Sequence, residues 1–356
     1  MASFATCKFP LVDKFKDYGE KNIVVGYIDS VLSGFGQIVL SDNPVTGLLI
    51  MLGVGLASPS QLITALWAAC VASAFAYLIG VDKVLVQHGL YTFSGAVVGL
   101  GISLWGFSVQ AVYPELLIYA TIGGVVSVCL TAAFNSLLSK WEAPSLSVPY
   151  CMTLAVIMPA IFLMGNVNSA PMLTPYTVPV TDAFASLAAS EFILSSLAGV
   201  GEICFQVGVP SAVCLILGIL ISSRVDAVVA ILFSAIGCGF AISLGLPTDN
   251  ILIGLYGYNA ALVGMGLFGR AFRMSLPSAI FSILMALVSV VLTVSMGVIF
   301  APLGIPVAAL PFGIIVIVCI MGKDYLTALK PVSILLWGVP ETIHTTLKAQ
   351  DQKDAS

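Results

Sequence analysis

Apolar residues fall along the chain in runs at about residues 44–58, 61–81, 95–109, 116–138 and 147–165. A second set covers about 192–204, 210–222, 227–246, 259–269, 278–301 and 311–322. A helix needs about 20 apolar residues to cross the hydrocarbon of a bilayer, and several runs reach that length. Others are short and interrupted by Gly or Pro. Broken segments are tolerated at membrane depth only where protein or a water-filled cavity satisfies the freed backbone groups, so they point to a pathway rather than to a simple anchor. Residues 1–22 mix Lys8, Asp13, Lys14, Lys16, Asp17, Glu20 and Lys21 with a few apolar positions, and do not read as a secretory signal. The expected organisation is a polar segment at 1–22, a membrane repeat at 23–165, an exposed linker at 166–190, a second membrane repeat at 191–335 and a polar, solvated tail at 336–356.

The two sets of runs match each other. S-V-L-S-G-F-G-Q at 30–37 aligns with S-S-L-A-G-V-G-E at 195–202, an offset of 165. G-L-Y-T-F-S-G-A-V-V-G at 89–99 aligns at the same offset with G-L-Y-G-Y-N-A-A-L-V-G at 254–264, with six of eleven positions identical. P-S-L-S-V-P-Y at 144–150 and P-V-A-A-L-P-F at 306–312 are offset by 162, so one three-residue deletion reconciles all three pairs. The chain is an internal duplication. Duplicated membrane proteins with broken segments place the solute site near the midplane, where the repeats meet. Five spans in each half would invert the second half and leave both termini on one side. Lysines at the N-terminus and at Lys323, Lys330 and Lys348 place that side in the cytoplasm under the positive-inside rule.

Composition sharpens this reading. Of the 356 residues 59% are hydrophobic and 8% are charged, against about 25% charged in soluble domains. A soluble enzyme, a nucleic-acid binder and a disordered chain are disfavoured, and an integral multi-pass protein of the cell membrane is expected. The net charge of −4 gives no footprint for nucleic acid. The eight cysteines lie mostly inside apolar runs and lack metal-ligand spacing, so they read as core fillers.

Glu202 lies in an apolar run and is paired by the repeat with Gln37. A carboxylate at membrane depth is a functional-site candidate, although a Glu near a span end can also reach interfacial water. Gln37 offers donors and an acceptor, ionised Glu202 acceptors only, so together they suit a small solute carrying N–H groups and a carbonyl. Phe93 and Tyr258 are equivalent positions that either pack ordinarily or form a slot for a planar molecule. Ser147, whose partner is Ala309, is either a local cap or a pore-lining group. The two histidines, His88 and His344, have no carboxylate cluster near them in sequence, and His88 is expected to end a helix. No phosphate loop, zinc-protease helix or nucleophile elbow is present.

From about residue 22 to 335 the chain resembles the urea transporter family. The resemblance rests on G-Q-I-V-L-S-D-N-P-V-T-G at 36–47, G-E-I-C-F-Q at 201–206, the duplicated G-L-Y-x-[FY] segments and the Pro-bracketed P-x-x-x-x-P-[FY] segments, in this order and spacing. It implies an all-α polytopic membrane protein of two inverted five-span repeats, with re-entrant or tilted half-helices around a central pore. It also implies a passive, cofactor-free facilitator of urea that forms a homotrimer with one pore in each protomer. By position, Gln37 and Glu202 match residues that contact the amide groups of urea at the pore mouths. Leu40 and Phe205 match the first slot positions, where aromatics are typical. Phe93 and Val97, with Tyr258 and Leu262, match the inner slot walls. Ser147 and Ala309 match two threonines of the central constriction.

The chain departs from that pattern at Leu40, at Tyr258, where Phe is usual, and at Ala309, where a hydroxyl is absent. A lost hydroxyl removes a hydrogen bond worth about 0.5–1.5 kcal/mol, which leaves room for a related amide, ammonia or water as the solute. Two readings of other classes stand beside the channel. One is a proton- or ion-coupled transporter with Glu202 as the titrating group, and the other a non-conducting structural protein or sensor.

Overall fold

A computed structural model describes residues 10–106, 114–163 and 187–354. All but the last four residues of the linker expected at 166–190, and the first nine residues of the N-terminal segment, lie outside them. The described elements are helical, apart from isolated bridges that join Phe272 to Phe268 and to Pro331.

In the first half α1 (Pro10–Lys21) precedes α2 (Ile23–Gln37), α3 (Pro44–Ala57), α4 (Pro59–Leu78), the short α5 (Lys83–Gln87) and α6 (Thr92–Gly101). A π-helical turn at Ile102–Gly106, the long α7 (Pro114–Leu138) and α8 (Val148–Leu163) follow. The second half runs α9 (Ala189–Gly201), α10 (Val209–Ser222), α11 (Arg224–Ser243), α12 (Thr248–Leu252), α13 (Tyr258–Leu267), α14 (Leu276–Phe300) and α15 (Leu310–Met321), and α16 (Pro340–Asp354) closes the chain.

Local chemistry sets these boundaries. Asn43 accepts from the Val45 N–H ahead of Pro44, and Ser58 accepts from the Gln61 N–H ahead of Pro59, so a cap and a proline start α3 and α4. Ser223 caps α11 without a proline, and Ser275 caps α14 ahead of Pro277. Gly80 (φ +81°) and its equivalent Gly245 (φ +66°) stop α4 and α11 in the left-handed region, which glycine enters without strain.

The duplication is visible residue by residue. α3, α4 and α5 reappear as α10, α11 and α12 at an offset of 165, and α7 reappears as α14 at 162. Left-handed residues pair at the same offsets: Leu40 with Phe205, Gly89 with Gly254, Glu142 with Gly304, Leu146 with Ala308. Between the halves Thr46 Oγ1 donates to the Gly218 carbonyl at 2.7 Å, and its equivalent Ser211 Oγ donates to the Gly53 carbonyl at 2.8 Å. Reciprocal contacts of this kind are the mark of a two-fold relation. They also show that α3 and α10 run antiparallel, with Gly53 and Gly218 admitting the close approach.

Among the described residues, five helical segments are long and apolar enough to cross a membrane: Pro59–Leu78, Lys83–Gly106, Pro114–Trp141, Arg224–Ser243 and Leu276–Leu303. The pair Ala189–Cys204 and Val209–Ser222, bent by 74°, is a sixth, broken candidate. The chain is an all-α polytopic membrane protein. Segment 83–106 is the most buried of the five and 276–303 the least, which puts the first inside the protein and the second at its periphery. One apolar core spans both halves and includes Phe35, Ile50, Leu100, Leu154, Leu215 and Val263.

The two polar ends are less solvated than their composition suggests. The tail forms α16, which buries Ile343 and Leu347 against Val332, a pair at i and i+4 on one helical face. Its Glu341 also accepts from Ser223 Oγ at 2.8 Å and from the Val225 N–H at 2.9 Å. On α1, Lys16 is drawn into the protein by the carboxylates of Asp29 and Asp42.

Candidate functional site

A cavity of about 480 Å³ opens where α2, α6 and the turn before α8 converge. It brings together Gln37, Leu40, Phe93, Val97, Ser147 and Leu262. Glu202, Phe205, Tyr258 and Ala309 are buried and lie outside its lining.

Gln37 is the last residue of α2, and its Nε2 donates to the His88 carbonyl at 2.9 Å. One amide N–H is thereby committed, which leaves the side-chain oxygen and a second N–H for a solute. Glu202, the equivalent residue, caps α9 and opens a single 3₁₀ turn. The residue is buried, with 8% of its surface exposed.

Leu40 and Phe205 follow three residues later with φ of 58° and 56°. Side chains larger than Gly rarely adopt this backbone, so its recurrence marks a turn that the surroundings enforce. The surroundings differ in the two halves. Arg270 NH2 donates to the Leu40 carbonyl at 3.1 Å, whereas its repeat equivalent, Trp105, packs its ring against Phe205 at a 60° tilt with centroids 4.8 Å apart.

Phe93 and Val97 lie on α6, and Tyr258 and Leu262 on α13. Phe93 meets Tyr150 edge to face, with centroids 6.4 Å apart. The Tyr258 hydroxyl is occupied by the Ala308 carbonyl at 2.6 Å, which fixes the ring. Asn259 holds the same turn, donating to the Thr293 hydroxyl at 3.1 Å and accepting from the Phe312 N–H at 3.2 Å. Ser147 and Ala309 immediately precede α8 and α15, and Ser147 Oγ donates to the Ala309 carbonyl at 2.6 Å. Two residues that occupy the same place in both halves therefore touch.

A model of the urea transporter family (UT) matches residues 28–324. The chain belongs to the urea transporter family. Among curated proteins it is 27% identical over 296 residues to urea transporter 1 of Ovis aries, covering 82% of this chain and 76% of that one. The Capra hircus protein of the same name gives the same figures, and that of Mus musculus is 26% identical over 252 residues, 70% of this chain and 65% of its own length.

A polar cluster lies close to Gln37. There His88 Nδ1 bonds Asp42 Oδ2, and Lys16 Nζ lies 2.5 Å from Asp42 Oδ1 and 3.2 Å from Ser33 Oγ. Asp29, fully buried, accepts from Ser33 Oγ at 2.9 Å and from Gln87 Nε2 at 3.0 Å. His88 does follow α5 directly, as expected, but its carboxylate partner is supplied by the break between α2 and α3. Arg270 is also buried. It bonds Asp226 Oδ2 at 2.9 Å, the Met265 carbonyl at 2.6 Å and the Gly338 carbonyl at 3.0 Å. The available signals were an Asp inside the apolar stretch of α2 and an Arg beside an almost fully apolar helix.

Proposed function

We propose that this chain is a channel that lets urea, or a closely related small planar neutral amide, diffuse passively across a membrane. The observation that carries the reading is the cavity lined by Gln37, Phe93, Val97, Ser147 and Leu262 in a chain of this family. A solute leaves water at Gln37, whose free carbonyl oxygen accepts from an amide N–H. It passes flat between the side chains of Leu40, Phe93, Val97 and Leu262 to the junction of α8 and α15. The helix N-termini that meet at Ser147 and Ala309 carry partial positive charge, which suits the carbonyl oxygen of the solute and disfavours cations. Tyr258 and Phe205 continue the path, and Glu202 accepts the N–H groups at the far mouth. Ions are rejected because a mostly apolar lining returns little of their hydration energy.

The second half is an inverted copy of the first in this reading, supported by the antiparallel packing of α3 on α10. The termini lie in the cytoplasm and the protein sits in the cell membrane as a homotrimer of separate pores. The periphery offered to lipid or to neighbouring protomers includes Leu276, Ile280 and Leu284 of α14, which are exposed along one stripe. Stopped-flow urea flux in proteoliposomes tests the function. Fast, non-concentrative flux that falls in Gln37→Ala and Glu202→Ala is the expected result. Accumulation against a gradient that collapses with a protonophore would replace the channel by a coupled carrier.

A further inference from the structure

Three charged side chains line the cavity at the Gln37 mouth: Asp42, Glu142 and Arg270. Each is matched by a countercharge that reaches it from outside the lining. Lys16 Nζ is 2.5 Å from Asp42, Lys323 Nζ is 2.7 Å from Glu142, and Asp226 is 2.9 Å from Arg270. These three partners come from α1, from the turn after α15 and from the first turn of α11, so the pairing is not a by-product of one helix.

The pairs are not equivalent. Glu142 is half in solvent, where water already screens it. Arg270 is surrounded by backbone carbonyls as well as by Asp226. Asp42 faces the cavity with a side chain only 8% exposed, and Lys16, itself 12% exposed, is its cationic partner alongside the His88 imidazole. Asp29 lies behind Lys16 at 3.8 Å and does not reach the cavity, so Asp42 is the carboxylate of the cluster that a solute would meet. Among the described residues the second half has no counterpart of this cluster. In the second half Leu194, Val207 and Ile253 stand in the places of Asp29, Asp42 and His88. Lys16 also precedes the segment matched by the family model.

An uncompensated carboxylate facing a poorly hydrated cavity concentrates cations of the right shape. The planar cation closest to urea is guanidinium, in which an NH2 group carrying part of the positive charge replaces the carbonyl oxygen. We propose that Lys16 is a specificity-determining residue: as the built-in countercharge of Asp42 it keeps the mouth from retaining planar organic cations, so that the neutral amide enters unopposed. This rests on the reading of the cavity as a urea pathway.

The test measures urea flux in proteoliposomes with guanidinium chloride or with sodium chloride at equal ionic strength, each variant compared with itself. Guanidinium is expected to inhibit Lys16→Met about tenfold more tightly than wild type, equivalent to about 1.4 kcal/mol. Lys16→Arg is expected to behave as wild type, and Lys16→Met/Asp42→Asn to lose the added block. Equal inhibition of wild type and Lys16→Met, or a block that persists in the double variant, would overturn the proposal. Lys16→Gln, which keeps a donor without the charge, replaces Lys16→Met if the latter does not fold. The shift in melting temperature with millimolar guanidinium is read on the same detergent-purified proteins. It is expected in Lys16→Met alone and does not depend on flux. Wild type that conducts no urea would therefore sink the pathway reading, while the melting shift still decides the role of Lys16.

Discussion

Ser147 and Ala309 hold the same position in the two halves of the chain, and the hydroxyl of one is bonded to the main-chain carbonyl of the other at 2.6 Å. The contact joins the residues that immediately precede α8 and α15. A Cβ on Gly313, one turn into α15, would stand 2.3 Å from Ser147 Oγ. Ser147→Ala is therefore expected to lower stability by about 1 kcal/mol, the net value of one hydrogen bond. Gly313→Ala is expected to break the same bond by displacing the hydroxyl. The two changes share one atom, so their combination is expected to cost less than their sum, which a double-mutant cycle on melting temperatures would detect. Strict additivity would mean that Gly313 is needed for another reason.

The left-handed glycines separate backbone strain from steric overlap. A Cβ added at Gly80 (φ +81°) would meet no heavy atom within 4 Å, so Gly80→Ala carries conformational strain alone, about 1 kcal/mol. Gly89 (φ +73°) adds a clash with the Gly34 backbone N at 2.3 Å, and Gly254 (φ +83°) repeats it against the Gly199 backbone N at 2.2 Å. Gly89→Ala and Gly254→Ala are expected to be severely and similarly destabilising, and Gly80→Ala mild. The order is read from the melting temperatures of the three purified variants.

The membrane class, the duplication and its three-residue deletion were legible because they reside in runs and offsets that one chain displays. Even the pairing of Ser147 with Ala309, made by alignment alone, became a contact. Asp42 and His88 were not legible as a pair, because 46 residues separate them and only the packing of α5 beside the break between α2 and α3 joins them. Likewise α1 and α16 look like solvated ends by composition. What anchors them is a few positions, Lys16 on carboxylates and Ile343 with Leu347 on one face, whose partners lie elsewhere in the chain.

Arg270 links four parts of the structure: Asp226 on α11, the end of α13, the turn at Leu40 and the chain ahead of α16. Removing it leaves a buried carboxylate without its cation, a change that typically costs about 3–5 kcal/mol. Arg270→Met is expected to destabilise on that scale, and Arg270→Met/Asp226→Leu to recover part of the loss because no charge is stranded. Arg270→Lys is expected to fall between, since a single ammonium cannot serve both the carboxylate and the spread of carbonyls. Thermal unfolding in detergent with intrinsic fluorescence gives the order.

Gln37 and Glu202 are equivalent residues with different side-chain chemistry, and exchanging that chemistry tests what the proposed pathway requires at each. Glu202→Gln keeps one acceptor oxygen and removes the possibility of ionisation, giving the second mouth the side chain of the first. If Glu202 acts by accepting N–H groups from a passing amide, Glu202→Gln is expected to conduct urea about fivefold faster than Glu202→Ala, the ratio that one hydrogen bond of about 1 kcal/mol supplies. Gln37→Leu, which fills similar volume without an acceptor, is expected to behave like Glu202→Ala. A carrier that used Glu202 as its titrating group would instead lose transport in the Gln and Ala variants alike, because neither can bind and release a proton there. Initial urea flux at matched protein density in the same liposomes separates the two outcomes.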